Sequence, residues 1–127
     1  MDYQIKKASL EDLNETAELF DLYRVFYRQK SDVEAGKAFL KERLLHNESD
    51  IFLAIADGKA VGFVQLYKIF SSTKMQRLWL LNDLFVHPDY RGKGFSVALI
   101  DRSKKWCEET NACGLMLETE KTNDIGN

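Results

Sequence analysis

The chain has 127 residues, 45% of them hydrophobic, which suffices for one domain with a buried core. Its 18 basic and 20 acidic residues give a formal net charge of −2, which excludes the positive potential typical of nucleic-acid-binding domains. The sequence shows neither the pattern of a signal peptide nor an apolar run long enough to cross a membrane. We therefore expect a single cytoplasmic domain over residues 1–127, with no nucleic-acid or membrane partner.

The chain begins with a predicted strand followed by two predicted helices. Weak alternation indicates a short strand over residues 3–8, and Ser9 and Asp12 have the spacing of a helix start. Apolar residues then recur at helical spacing over residues 10–29, which predicts a long first helix. After a polar break, the pattern of residues 33–45 predicts a second amphipathic helix.

The middle of the chain has the composition and periodicity of β-strands. Apolar runs over residues 51–56, 60–70 and 75–86 are separated by an Asp-Gly turn at 57–58 and a polar turn at 71–74. Tight turns join antiparallel neighbours, so these three segments are predicted to form a meander. A helix over residues 95–109 and a short strand over residues 115–119 are predicted to follow.

The turn Arg91-Gly92-Lys93-Gly94 lies between the third strand of the meander and the predicted helix. Successive backbone N–H groups of such a turn can point into one concavity, which we expect a Cβ at either glycine to crowd. The unpaired N–H groups and the dipole of the following helix favour an anion at the same point. A phosphate or pyrophosphate is therefore the expected ligand, and a surface turn with solvated cations is the alternative.

The segment VHPDYRGKGFSVALI resembles the acyl-CoA-binding core of the GCN5-related N-acetyltransferase (GNAT) superfamily. The pattern of that family is Arg or Gln, two residues, Gly, one residue, then Gly or Ala. Arg91, Gly94 and Ser96 occupy these places, and Ser96 is the departure. The order of predicted elements is also that of the GNAT fold, an α/β (α+β) fold with a mixed, mostly antiparallel sheet flanked by helices. The resemblance implies acetyl-CoA as cosubstrate.

The resemblance also implies which residues bind acetyl-CoA. Backbone N–H groups of the turn and of the first helical residues would hold the pyrophosphate, while the side chains of Arg91 and Lys93 add charge nearby. Backbone groups at the end of the preceding strand would bind the pantetheine arm and polarise the thioester carbonyl. A later Asn would contact the same arm. The residues so implied are Leu84, Phe85, Val86, Arg91, Gly92, Lys93, Gly94, Phe95, Ser96 and Asn123.

The polar pair Asn82 and Asp83 interrupts an apolar strand and is the candidate catalytic pair. An ammonium group must lose a proton before it attacks, so Asp83, or a water that it holds, is the candidate base. Its alternative role is to cap a loop or pair with a Lys or Arg. With period two, one face of the strand would carry Trp79, Leu81, Asp83 and Phe85, and the other Leu80, Asn82, Leu84 and Val86. Only one of the polar pair would then point into a given cleft.

That pair also resembles part of the motif of the polyamine-acetylating branch of the superfamily. The branch carries an acid where this chain has Asn82, while Asp83 matches the branch's second position. Transfer of the base role from that branch to this chain therefore depends on Asp83.

The end of the first predicted helix is the candidate acceptor side. By the resemblance, Tyr27 and Tyr23 would contact the acceptor amine, and a place in the core is the alternative for both. Cationic and anionic residues are mixed in this region, so the sequence leaves the preferred charge of the acceptor open. These residues are Arg28 and Lys30 against Asp21, Asp32 and Glu34.

The resulting prediction is an N-acetyltransferase that moves an acetyl group from acetyl-CoA to a primary amine by direct attack in a ternary complex. The acceptor is a small-molecule or protein amine, and the alternative is a non-catalytic acyl-CoA-binding or regulatory module. A dinucleotide-binding loop is disfavoured because Val97 stands where a third Gly or Ala should be. No metal is expected, because Cys107 and Cys113 lack companions at the spacing of a zinc site.

The resemblance finally implies a further helix, which bears a Tyr acid, and a two-stranded hairpin after residue 127. The domain is therefore expected to be C-terminally incomplete, lacking the last helix and the C-terminal strands. A homodimer in which a second chain completes the sheet is the alternative. In either case we expect these 127 residues to bind acetyl-CoA more readily than they turn it over.

Overall fold

The structure, a computed structural model, describes residues 2–118. Its helices and strands are β1 (Tyr3–Lys7), α1 (Leu13–Phe26), α2 (Val33–Leu45), β2 (Ser49–Ala56), β3 (Lys59–Ser71), β4 (Gln76–Val86), α3 (Phe95–Glu109) and β5 (Leu115–Leu117). Short 3₁₀ turns precede α1 and α3. The predicted order of elements and the predicted mixed α/β class are confirmed.

The five strands form one sheet in the order β1-β2-β3-β4-β5. The first four are antiparallel to their neighbours, and β5 lies parallel to β4. The pairing of β4 with β5 covers Trp79–Leu81 opposite Leu115–Leu117 and ends with a 3.2 Å bond from Glu118 N to Leu81 O. Within residues 2–118, no strand pairs with β4 beyond that point on this side. The end of β4 therefore forms an open edge of the described sheet.

Two apolar cores lie on opposite faces of the sheet. Helix α3 packs on one face through Leu99, against Phe52 and Trp79 among others. Helices α1 and α2 cover the other face, where Phe20 and Leu40 belong to the second core. Strands buried on both faces need no alternation of apolar and polar residues, which explains the continuous apolar runs of β2 and β3.

The connection between α1 and α2 is held by Asp21. Its carboxylate accepts a 2.6 Å bond from Ser31 Oγ and a 2.8 Å bond from Asp32 N. The side chain of Asp32 then caps α2 by accepting from Ala35 N at 3.0 Å. The prediction that the first helix extends to about residue 29 is wrong: α1 ends at Phe26, because Arg28 adopts a left-handed backbone with φ 66°. This end of α1 lies over the candidate site.

No helix within residues 2–118 is both long enough and apolar enough to cross a lipid bilayer.

Candidate active site

A β-bulge in β4 determines where the candidate catalytic residues lie. Gln65 of β3 faces Asp83, whereas the next residue, Leu66, faces Leu81, so Asn82 is the extra residue. A bulge reverses the alternation of side chains along a strand. Trp79 and Leu81 accordingly pack in the core under α3, while Phe85 packs in the core under α1 and α2. The prediction that these residues and Asp83 share one face is therefore wrong.

A cavity of about 280 Å³ lies between α1, α2 and the sheet at the level of the bulge. Its aromatic lining consists of Phe20, Tyr23, Tyr27, Phe39 and Tyr67. Its polar lining consists of Arg24, Gln29, Asn82 and Asp83. The prediction that only one of Asn82 and Asp83 could face a given cleft is wrong, because the bulge presents both to this cavity. The structure thus brings both candidate catalytic residues together with both candidate acceptor-binding tyrosines.

Amide groups from two neighbouring strands hold the carboxylate of Asp83. Gln65 Nε2 donates to Asp83 Oδ2 at 2.7 Å, and Asn82 Nδ2 donates to Asp83 Oδ1 at 3.0 Å. The amide of Gln65 is oriented in turn by Ser49 Oγ, which donates to Gln65 Oε1 at 2.9 Å. Asp83 is 3% exposed, and Gln65 and Ser49 are fully buried or nearly so. This network fixes the carboxylate at the floor of the cavity.

Two tyrosines of the lining remain neutral phenols over the physiological pH range. Burial, followed by the nearby Asp83 carboxylate, raises the pKa of Tyr23 far above its usual value. The same two causes, in the same order, raise the pKa of Tyr67. Both phenols can therefore serve as hydrogen-bond donors next to the carboxylate.

Beyond the bulge, the backbone groups of every second residue of β4 face the open edge. His87 N donates to Val61 O of β3 at 2.7 Å. Since backbone groups alternate in direction along a strand, those of Phe85 also point to β3, whereas those of Leu84 and Val86 point to the open edge. Val86 O accepts a 3.0 Å bond from Arg91 Nε. Of the three residues implied for the pantetheine arm, Leu84 and Val86 thus present backbone groups there, and Phe85 contributes its ring to the second core.

The loop before α3 contains two glycines in the left-handed backbone conformation. Gly92 and Gly94 adopt φ values of 76° and 88°, which side-chain-bearing residues rarely adopt. A Cβ would meet no protein atom within 4 Å at either glycine, so the preference for glycine here comes from the backbone conformation. Gly94 provides no side-chain cap, and the first turn of α3 contains no acidic residue. The N–H groups of Phe95 and Ser96 therefore face the loop without a capping side chain from Gly94.

The two cationic side chains of this loop are exposed, and each lies beside an aromatic ring. The guanidinium of Arg91 lies 5.0 Å from the ring centroid of Phe26 in α1 and 5.4 Å from that of Phe85 in β4. The ammonium of Lys93 lies 5.7 Å from the ring centroid of Tyr90. Arg91 therefore connects the loop before α3 to the end of α1. This contact was not predicted from the sequence.

Phe95 is buried and packs its ring against Tyr3 at a centroid distance of 5.3 Å, so only its backbone is available to an anion. Asn123 lies outside the described residues. Among residues 2–118, no group of three or more His, Cys, Asp or Glu side chains could hold a metal ion.

The residues of the site that were not predicted from the sequence include Arg24, Phe39, Gln65 and Tyr67. Gln65 is a polar residue within an apolar strand, which is the same signal that singled out Asn82 and Asp83. The alternation of β3 places Tyr67 on the same face as Gln65. Phe39 and Arg24 depend on how α1 and α2 pack on the sheet, for which the sequence has no local signal.

Known proteins were compared with the chain. The sequence model of the acetyltransferase (GNAT) family matches residues 15–126. The Bacillus subtilis protein named uncharacterized N-acetyltransferase YhfO is 44% identical over 119 residues, which cover 94% of this chain and 80% of that protein. A probable acetyltransferase of Haemophilus influenzae is 38% identical over 101 residues, or 79% of this chain and 69% of that protein.

A solved structure agrees with these sequence matches. The crystal structure of a probable acetyltransferase superposes with a TM-score of 0.90 at 38% identity, covering 97% of this chain and 83% of that one. The match of the family model extends from α1 to beyond β5, and so includes the loop before α3 and the bulged strand. The chain therefore belongs to the GNAT family of acetyltransferases.

Proposed function

We propose that the chain transfers an acetyl group from acetyl-CoA to a primary amine of a small molecule or protein, by direct attack within a ternary complex. One observation carries this proposal. The buried carboxylate of Asp83, at the floor of an aromatic cavity, is next along β4 to the open backbone edge at Leu84 and Val86. A proton acceptor and a row of backbone donors thus lie side by side where an amine and a thioester could meet.

The residues of the phosphate side suit acetyl-CoA. The left-handed glycines Gly92 and Gly94 and the uncapped start of α3 favour a pyrophosphate. The open edge of β4 offers backbone groups of Leu84 and Val86 to an extended amide-bearing arm, as a further strand would use them. When bound, acetyl-CoA supplies a thioester, whose C–S bond is replaced by a C–N bond to the acceptor.

Asp83 has the environment expected of the base. An amine arrives as ammonium and must transfer a proton before its lone pair can attack. The Asp83 carboxylate, or a water that it holds, accepts that proton, while Gln65 and Asn82 keep its oxygens in place. General-base catalysis of this kind contributes roughly 10²–10⁴-fold to the rate.

The backbone of β4 is the proposed electrostatic stabiliser. The N–H groups of Leu84 and Val86 face the open edge, where one of them would donate to the carbonyl oxygen as negative charge develops on it. Because the donor belongs to a strand that is paired with β3 on its other side, its position is fixed before any ligand binds. Such preorganised donors stabilise the transition state without reorganisation.

Two measurements on the purified chain test the proposal. Calorimetric titration measures binding of coenzyme A, and a thiol reagent follows its release from acetyl-CoA with a panel of primary amines, including peptides. Binding together with amine-dependent release supports the enzyme. If coenzyme A binds but no amine causes thiol release from acetyl-CoA, the chain is instead a non-catalytic acyl-CoA-binding module. Absence of binding contradicts both functions.

A further inference from the structure

We propose that the acceptor is a compact amine that also carries an anionic group, as an amino acid does, with its amine at Asp83 and its anionic group at Arg24. This inference rests on the proposed function, because it names the acceptor of the same cavity. It concerns the balance of charge in the lining, which the sequence left open.

The described residues that line the cavity include one acidic side chain, Asp83, and one basic side chain, Arg24. Arg24 lies on α1, at the helical end of the cavity, whereas Asp83 lies on the sheet that forms its floor. A ligand that pairs with both must bear a positive and a negative group. An amine that bears a carboxylate meets this requirement, and a simple diamine does not.

Arg24 has donors available for an anionic group. Its Nη1 donates to Lys30 O at 3.1 Å, which holds the side chain in place beside the α1–α2 connection. A guanidinium has five N–H donors in a fixed planar arrangement, so this bond leaves others for a ligand. Guanidinium groups pair with carboxylates through two parallel hydrogen bonds, which a lone ammonium cannot reproduce.

Asp21, Asp32 and Glu118, whose charge acts on Tyr23, are acids near the cavity that do not line it. The first two are already committed to the fold. Asp21 accepts from Ser31 Oγ and Asp32 N, and Asp32 caps α2 through Ala35 N. Both carboxylates therefore anchor the connection between the helices, and neither belongs to the lining of the cavity. A polyamine would find Asp83 as its one described anionic partner in the lining, and would place its second charge in a cavity that contains Arg24.

The size and walls of the cavity indicate the nature of the rest of the acceptor. Its volume of about 280 Å³ is near the lower limit of the roughly 300–1,000 Å³ typical of ligand pockets, which favours a compact acceptor. Five aromatic side chains line it. Aromatic faces attract a cationic amine and also bury an apolar side chain. An amino acid with an apolar side chain matches all of these features.

Matched pairs of acceptors test the inference in the thiol-release assay. Each pair differs by one carboxylate: phenylalanine against 2-phenylethylamine, and methionine against 3-(methylthio)propylamine, with spermidine and a short peptide as further amines. A charge-assisted bond to Arg24 predicts kcat/KM about tenfold or more higher for the carboxylate-bearing member of a pair. Equal rates, or faster release with the decarboxylated member, spermidine or the peptide, would overturn the inference.

Variants of Arg24 distinguish a binding role from a purely structural one, because only a binding role affects one member of an acceptor pair and not the other. Arg24→Gln should raise KM about tenfold for the carboxylate-bearing acceptor and leave its decarboxylated partner unchanged, while Arg24→Lys retains part of the preference. Arg28→Gln, which removes an exposed charge from the same segment, is the control and should change neither. Equal losses for both members of a pair would contradict the inference.

The outcomes separate the inference from the function on which it rests. Release of thiol with some amine, but without a preference for the carboxylate, would refute the inference alone. Absence of release with every amine, while coenzyme A still binds, would refute the proposed function.

Discussion

Gln65 Nε2 donates a 2.7 Å hydrogen bond to Asp83 Oδ2, between neighbouring strands and out of contact with solvent. The orientation of that amide is not free, because Ser49 Oγ donates to its oxygen and so turns its NH₂ group toward the carboxylate. Three buried polar side chains on three adjacent strands thus form one chain of hydrogen bonds. The position of the candidate base is therefore determined by the sheet itself.

Replacement of Gln65 tests this support. In Gln65→Leu, Asp83 Oδ2 loses its amide donor and Ser49 Oγ loses its acceptor, both in buried positions. An unsatisfied buried polar group costs about 1–3 kcal/mol, so we expect the free energy of unfolding to fall by roughly that amount. Urea unfolding would show a lower midpoint at an unchanged m-value. A variant as stable as the wild type would mean that the network does not contribute to the fold.

Asp83→Asn tests the base. The variant keeps the size of the side chain and an oxygen that can accept from Gln65, but it cannot take up a proton. We expect kcat to fall by roughly 10²–10⁴-fold, with little change in the affinity for coenzyme A measured by calorimetry. Asp101→Asn, an exposed change on α3, serves as the matched control and should keep full activity. Retention of kcat in Asp83→Asn would remove Asp83 from the mechanism.

Gly94→Ala tests the phosphate loop, and Gly58→Ala offers a matched control. Both glycines have positive φ values, 88° and 73°, and a Cβ would meet nothing within 4 Å at either one. The left-handed conformation costs a side-chain-bearing residue about 1–2 kcal/mol, so both variants should lose a similar amount of stability. Only Gly94→Ala should weaken coenzyme A binding, by about tenfold or more, because relaxation of its backbone turns the N–H groups away from the anion. Equal affinities in the two variants would argue against the loop as the binding site.

Tyr67 makes the free energy of unfolding depend on pH in the alkaline range. Its pKa is raised in the folded state, first by burial and then by Asp83, whereas in the unfolded chain it is about 10. Above that pH the folded protein holds this proton and the unfolded chain releases it, so the free energy of unfolding falls as the pH rises. Below about pH 10 both states are protonated and the contribution is constant.

Tyr67→Phe should therefore lose less stability than the wild type between about pH 10 and pH 11. Denaturant unfolding at a series of pH values measures the difference, with the exposed Tyr3→Phe as control. Parallel pH profiles for the wild type and Tyr67→Phe would contradict the assignment.

The sequence predicted most of the fold, because the signals for it are local. Capping residues, apolar periodicity and the Asp-Gly turn are each read within a few positions, and the strands and helices that they predicted are present. The end of α1 was the exception. A glycine would have indicated a left-handed residue at this point, but the residue is Arg28. The apolar spacing therefore predicted a helix that continues beyond the true end of α1.

The sequence also singled out the candidate catalytic residues and the candidate phosphate loop, but not their relative placement. Alternation along β4 put Asp83 on the wrong face, because a bulge depends on the register with a neighbouring strand and not on the residues of β4 alone. Arg24 and Phe39 come to the cavity through the packing of two helices, which involves residues distant along the chain. The local chemistry of each segment was therefore predictable, and the three-dimensional arrangement of the segments was not.

The extra residue in β4 also has a consequence for how this sequence can vary. On one side of Asn82 the odd-numbered residues are buried beneath α3, and on the other side the even-numbered ones are, so the strand has two phases joined at one position. Deletion of a single residue there would either move Trp79 and Leu81 out of the core under α3 or place the Asp83 carboxylate in that apolar core. Substitutions can accumulate separately in each half, but an insertion or deletion at the junction would disrupt either the core or the site. Around Asn82, the length of the strand therefore matters as much as the identity of its residues.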